Sequence, residues 1–222
     1  MASTARTNKP KGVGEILSAL VASDGSAGHP YSTSLDLLIG DRSTRNLADA
    51  AHFLGLLHGR YPGVIDHASQ RITHPVARGW IYRALAGFSV ERLFITRLVV
   101  AAGPLPSTLG QAQSEAAVSG QTHALTTLAQ SERNGTALGA TLALALDWRP
   151  IRLVLDAAAQ RFGLQPPPLD LPRVDETLAV AVAAAETPGI ERAIAFGAQQ
   201  LLMQHRGLWS LLETRDGARR EA

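Results

Sequence analysis

The sequence predicts an all-α fold: a single helical bundle of about six to eight helices with short N- and C-terminal tails. Three observations predict it. Apolar residues recur at three- and four-residue spacing over long stretches, as one face of a helix requires. No run alternates apolar and polar residues as a half-buried strand would. Pro and Gly fall between the periodic stretches, where they act as stops and starts.

Each element follows in order. Met1 to Gly12 is small, polar and basic, and is expected to be a disordered arm. Val13 to Ala22 is a short helix with Ile16, Leu17, Leu20 and Val21 as its apolar face. Ser23 to Pro30 reads as a loop, and Tyr31 to Ile39 as one or two helical turns. Asn46 is placed as an N-cap with Asp49 at N3, opening a helix that runs to about Gly59, where Pro62 and Gly63 stop it. Pro75 to Val100 holds a long helix on Ile81, Ala84, Phe88, Glu91, Ile95, Leu98 and Ala102, ended by Gly103-Pro104.

Ser107 to Asp147 is helical, either as one bent helix or with a break near Asn134-Gly135, and Gly135, Gly139, Ala140 and Ala143 leave room for another helix to come close. Pro150 suits the first turn of a helix that ends at Gly163. QPPPLDLP, residues 165–172, is an extended connector. Helices over Asp175 to Glu186 and from Thr187-Pro188 to about Glu213 complete the chain. The organisation is thus an arm over 1–12, one all-helical domain over 13–215, and a disordered tail over 216–222.

Composition narrows the function. With 222 residues and 45% hydrophobic content the chain suits one domain with a sizeable core. It has no cysteine, which excludes disulfides, a thiol nucleophile and thiolate metal sites, and fits a cytoplasmic protein. The net charge is +2, lysine occurs only at Lys9 and Lys11, and the arginines are spread along the chain without a dense basic run. Nucleic acid is therefore an unlikely partner. No segment has the roughly 18 apolar residues of a membrane span, and no apolar stretch near Met1 makes a signal peptide. Neither a Gly-x-Ser-x-Gly elbow nor a glycine-rich phosphate loop is present.

The informative pattern is polar residues on apolar seams: His58, Glu91, Glu132 and His205. A buried charge needs a partner, a metal or a ligand, and inward carboxylates and imidazoles from several helices are what a bundle metal site uses. Iron, manganese or zinc would suit that donor set. Against this, the chain has no Glu-x-x-His pair; Asp49-Ala-Ala-His52 comes nearest, and Asp49 already serves as a cap partner. Each group also has a plain reading. Glu91 and Glu132 can pair with nearby arginines, His58 can sit at the carbonyl end of its helix, and His205 can be a satisfied core histidine. Asp66 and His67, after the turn Gly59-Arg60-Tyr61-Pro62-Gly63, are a second candidate pair. Trp80, Trp148 and Trp209 read as packing anchors near helix ends.

The runs HGRYPGVIDHA from His58 and SERNGTALGATLALALDW from Ser131 resemble an uncharacterised alphaproteobacterial family of helical proteins of unknown function. The likeness spans Asn46 to Gly163 and implies no activity, cofactor or catalytic residue. Ferritin-like and haem-oxygenase-like bundles share the architecture only.

The reading favoured is a non-catalytic bundle acting through self-association, as a homo-oligomer, or through a protein partner. Its rival is a small-ligand or metal-binding bundle, an oxidoreductase among the options, built on His58, Glu91, Glu132 and His205. Convergence of those four side chains on one buried point would favour the rival.

Overall fold

A computed structural model describes residues 12–221, and these contain α-helices, two short 3-10 turns and no strand. The helices are α1 (Val13–Asp24), α2 (Leu35–Leu38), α3 (Ser43–His58), α4 (Val64–Ser69), α5 (Pro75–Ala102), α6 (Gln111–Ala129), α7 (Thr136–Arg161), α8 (Val174–Ala184) and α9 (Pro188–Glu221). Seven of the nine among the described residues have seven residues or more, in keeping with the bundle expected. The 3-10 turns, Ser26–Gly28 and Pro30–Thr33, lie between α1 and α2. The arm expected over 1–12 falls outside the described residues except for Gly12.

α7 is the centre. Every residue from Thr136 to Trp148 is buried, as a stretch that is apolar on all sides must be. α9 lies along it, and the two helices are parallel, since Gly135 meets Ile190, Gly139 meets Ile194 and Asp147 meets His205. The Ala- and Gly-rich faces allow backbone-to-backbone contact. A Cβ added at Gly139 would fall 2.0 Å from the Ile194 carbonyl oxygen, and one at Gly197 would fall 2.1 Å from that of Thr136. α8 carries the chain back between these parallel partners and packs on α1 and α5. There Trp80 donates from Nε1 to Thr177 Oγ1 at 3.0 Å. α3 and α5 close another side of α7, and α6 lies across α3, α4 and α9.

Three boundaries differ from the sequence-based expectation. The helix placed from Asn46 begins at Ser43, so Asn46 and Asp49 are inner residues of α3 and not its cap and cap partner. Tertiary partners explain this: the Asn46 amide donates to the Asp36 carbonyl at 2.9 Å, and Asp49 accepts from Arg215 at 3.0 Å. Pro150 lies inside α7 instead of opening a new helix. The ring removes one hydrogen bond, but burial on both sides, of Leu142–Trp148 before it and of Ile151, Arg152, Val154 and Leu155 after it, keeps the helix continuous. The stretch from Ser107 to Asp147 takes the second of its two expected forms, a break at 130–135 beside Asn134-Gly135, with Gly135 in the left-handed region at φ 96°. Finally, α9 runs through the segment expected as a tail over 216–222 as far as Glu221, because Arg215, Asp216 and Arg219 are tied to α3.

A methyl group at the α7–α9 contact cannot be fitted without moving backbone. Gly139→Ala is expected to cost about 3 kcal/mol or more of folding free energy. Gly120→Ala, at an exposed helical position with nothing within 4 Å, is expected to add about 0.5–1 kcal/mol. Urea unfolding of the two variants checks both signs.

Candidate functional site

The central helix carries three polar side chains inward within two turns: Asp147, Trp148 and Arg152. Around them two buried networks meet. In the first, Asp147 accepts from the Ser26 backbone N–H at 2.7 Å and from Ser26 Oγ at 2.6 Å. Its Oδ2 also lies 2.6 Å from His205 Nδ1. His205 Nε2 is 2.9 Å from His58 Nε2. The two facing Nε2 atoms share one hydrogen, one ring donating and the other accepting. The line Ser26–Asp147–His205–His58 thus joins the first 3-10 turn, α7, α9 and α3. Gly25 has to be glycine beside it, because a Cβ there would sit 2.5 Å from Asp147 Oδ1.

In the second network Glu91 of α5 accepts from Trp148 Nε1 at 2.8 Å and from Arg152 at 2.6 Å. Arg152 also donates to Asp156 at 2.7 Å and to the Pro167 carbonyl. Its guanidinium lies 4.5 Å from the centroid of the Phe94 ring. The Trp148 indole separates the two networks: the His58 ring stands edge-on to it at 5.4 Å, and Phe88 packs on it at 4.6 Å.

Electrostatics follow from burial. Desolvation holds the His58 imidazole well below its ordinary pKa, and the neighbouring His205 adds to the effect. Desolvation raises Glu91, while the Trp148 hydrogen bond and the Arg152 charge oppose that rise.

The eight sequence candidates therefore have different surroundings. His58 and His205 touch, and Glu91 lies one indole away. Glu132 stands apart: its side chain is 89% exposed, 3.9 Å from Arg71 on the rim of a surface cleft. Asp49 lies in a third buried network, accepting from Arg215 at 3.0 Å and from Arg219 at 2.5 Å. Asn46 and Thr108 complete that network, and Arg215 sits over Phe53. His52 Nε2 is 2.8 Å from the Gly103 carbonyl, so Asp49 and His52 do not act together. Asp66 caps α4 through the Gly63 N–H and pairs with Arg92 at 2.6 Å. His67 faces Gln130 at 3.0 Å. Among the described residues no group of three or more His, Asp or Glu is placed to hold a metal ion.

Sequence reading missed Ser26, Asp147, Trp148 and Arg152 as members of the site. The signal was present as Asp147, Trp148 and Arg152 in a stripe with Leu144, Ile151 and Leu155. Placing a helix boundary at Pro150 turned them into end residues.

A model of the family described as "Family of unknown function (DUF6975)" matches residues 21–220. The chain belongs to this family. The match reaches well beyond the stretch from Asn46 to Gly163 that carried the resemblance, and takes in α9 with His205 and Arg215. No curated protein and no solved structure matches the chain. None of the larger surface openings among the described residues is lined by His58, His205, Asp147 or Glu91.

Two measurements test the energetics. Arg152→Met leaves Glu91 buried without its cation and is expected to cost about 3–5 kcal/mol. Replacing both partners, as Glu91→Leu with Arg152→Met, should cost less than the sum of the single changes; a double-mutant cycle reads the coupling. For His58, the unfolded chain takes up a proton below its ordinary value of 6.5 and the folded chain does not. Stability from this residue is present above that pH and falls below it, at up to about 1.4 kcal/mol per pH unit. The wild type should therefore lose stability more steeply between pH 6.5 and 5 than His58→Gln, as read by urea unfolding at each pH.

Proposed function

We propose that this protein acts by docking and not by catalysis, as a helical bundle that associates with copies of itself. The observation that carries the reading is the contrast between its inside and its outside. Inside, Asp147, His205 and His58, then Glu91 and Arg152, then Asp49 and Arg215 are joined within three separate sets. Groups held in this way order the helices they join. Outside, Tyr82, Leu93 and Val100 project along one face of α5 at 65%, 62% and 77% exposure. Beside that face runs a largely apolar groove between α3, α5 and α6, lined by Gly55, Leu56, Ile95, Val99, Val100 and Leu105 among others. An apolar strip that continues into a groove marks an interaction surface.

A bacterial cytoplasm suits the rest. The cysteine-free chain needs no oxidising compartment, and arginine used almost to the exclusion of lysine fits a GC-rich bacterial genome. No helix among the described residues is long and apolar enough to cross a membrane.

Sedimentation velocity between about 1 and 500 μM tests the reading, a range that brackets the dissociation constants of reversible dimers. The wild type should shift from monomer to a larger species across it. Leu93→Glu should raise the concentration of half-association by about tenfold or more, with unfolding free energy unchanged within about 0.5 kcal/mol. A wild type that sediments as a monomer throughout sinks the proposal.

A further inference from the structure

Every charged residue on the outer side of α5 is an arginine. The helix has one carboxylate, Glu91, and it is buried against Trp148 and Arg152. With 3.6 residues per turn, Tyr82, Leu93 and Val100 form a line down the middle of the exposed side. Arg78 and Arg92 lie on one flank of that line, Arg83 and Arg97 on the other. The line runs for about 27 Å at 1.5 Å per residue. We propose that this side of α5 docks on an anionic lipid bilayer. The helix lies along the interface, with the apolar line below the headgroups and the arginines at the phosphates. This contact goes beyond self-association and does not depend on it. Both use one apolar line, so each excludes the other at any moment.

Charge selects the partner. Arg92 is neutralised by Asp66 at 2.6 Å and Arg83 by Glu176 at 3.1 Å. Arg78 and Arg97 are exposed and have no ion pair among the described residues. They stand toward opposite ends and on opposite flanks of the line, about 28 Å apart along the axis at 1.5 Å per residue. A flat anionic surface meets both at once. The groove beside the line adds no net charge, because Arg60 and Glu115 both stand on its wall. The unbalanced charge of this side is therefore that of Arg78 and Arg97. A second copy would cover the apolar line and leave these two arginines without counter-charge, whereas an anionic bilayer covers all of them.

The apolar line selects a bilayer over other acidic partners. Tyr82, Leu93 and Val100 stand out from the bundle, and the residues between them on the line, Ala86, Ser89 and Thr96, are small. Side chains of this kind enter the boundary between headgroups and acyl chains, and flanking arginines reach back to the phosphates with their stems against lipid. Tyrosine suits that depth, its ring apolar and its hydroxyl polar. The Tyr82 hydroxyl makes no hydrogen bond among the described residues. A convex line fits a plane. An acidic protein would need an apolar groove of the same length, and nucleic acid presents phosphates without apolar surface beside them.

The contact is reversible and salt-sensitive. Each arginine near an anionic surface adds roughly fivefold to partitioning, so Arg78 and Arg97 together add roughly 25-fold. Salt shortens the reach of both.

Co-sedimentation with vesicles tests the proposal on the full-length chain, at a protein concentration below that of any self-association. The vesicles are phosphatidylcholine alone, or phosphatidylcholine with about 30% phosphatidylglycerol as the anionic lipid. The wild type is expected to bind the anionic vesicles at least about tenfold more tightly than the neutral ones. Arg78→Gln with Arg97→Gln should weaken that binding by about 25-fold. Arg133→Gln with Arg206→Gln removes the same charge from exposed positions off α5 and should weaken it by less than about threefold. Tyr82→Trp should gain an emission quenched by lipids brominated in the acyl chain, which Trp80, Trp148 and Trp209, all buried, do not show in the wild type. No binding to anionic vesicles, equal binding to neutral ones, or equal losses in the two arginine pairs overturns the proposal. Binding to soluble polyglutamate with none to vesicles overturns it in favour of an acidic protein. Vesicle binding by a chain that stays monomeric in solution upholds this inference and ends self-association alone.

Discussion

The contact on which the structure depends is the backbone approach of α7 and α9 through Gly139 and Gly197. Side chains of any size would hold the two helices apart, and a Cβ at either glycine would overlap the facing carbonyl. Because the axes come this close and run parallel, positions one and two turns further on are brought face to face. Asp147 then lies within hydrogen-bond reach of His205, and His205 within reach of His58 on α3. Close approach at one end of the helix pair thus sets the polar geometry at the other. Dispersion contacts between packed backbones are individually small, but here they run over several turns of two long helices.

Once α9 is fixed, its far end fixes α3. Arg215 and Arg219 reach Asp49, Asn46 and Thr108. Together with His58–His205 they tie α3 to α9 near both ends of α3, antiparallel. On the other side of α7, Arg152 and Trp148 hold α5 through Glu91. Each of these ties costs desolvation, and burying ions contributes less to stability than apolar packing of equal volume would. What such ties add is register: a helix that slips by one turn leaves a charge unpaired in the core. The core is built of many Ala and Leu residues that pack almost as well in several registers, so polar ties that distinguish them have a structural use.

The same arrangement determines what faces outward. With Glu91 turned in toward Trp148 and Arg152, the opposite side of α5 has to carry Tyr82, Leu93 and Val100. Gly55 on α3 leaves the space beside Val99 open. The outer seam and the inner ion pair are therefore two faces of one helix, set by a single rotation about its axis.

The fold class was legible in the sequence because helix periodicity and Pro/Gly punctuation are local. α5, whose seam from Ile81 to Leu98 is regular, and the start of α9 at Thr187-Pro188 could be read from residues a few positions apart. The polar seam was legible in part. His58, Glu91 and His205 stand out because each interrupts an apolar stripe, and all three are buried. Glu132 interrupts a stripe in the same way, but the chain breaks at 130–135 and leaves it in solvent. Asp147 and Arg152 were hidden by Pro150, since nothing local says that burial on both sides will carry a helix through a proline. Nor can a sequence show that Arg215 belongs with Asp49, 166 residues away. The sequence by itself determined which segments are helical and which of their faces are apolar, because those are properties of one helix. Only the tertiary structure decided which polar groups meet, because that depends on how closely and in which direction whole helices approach one another.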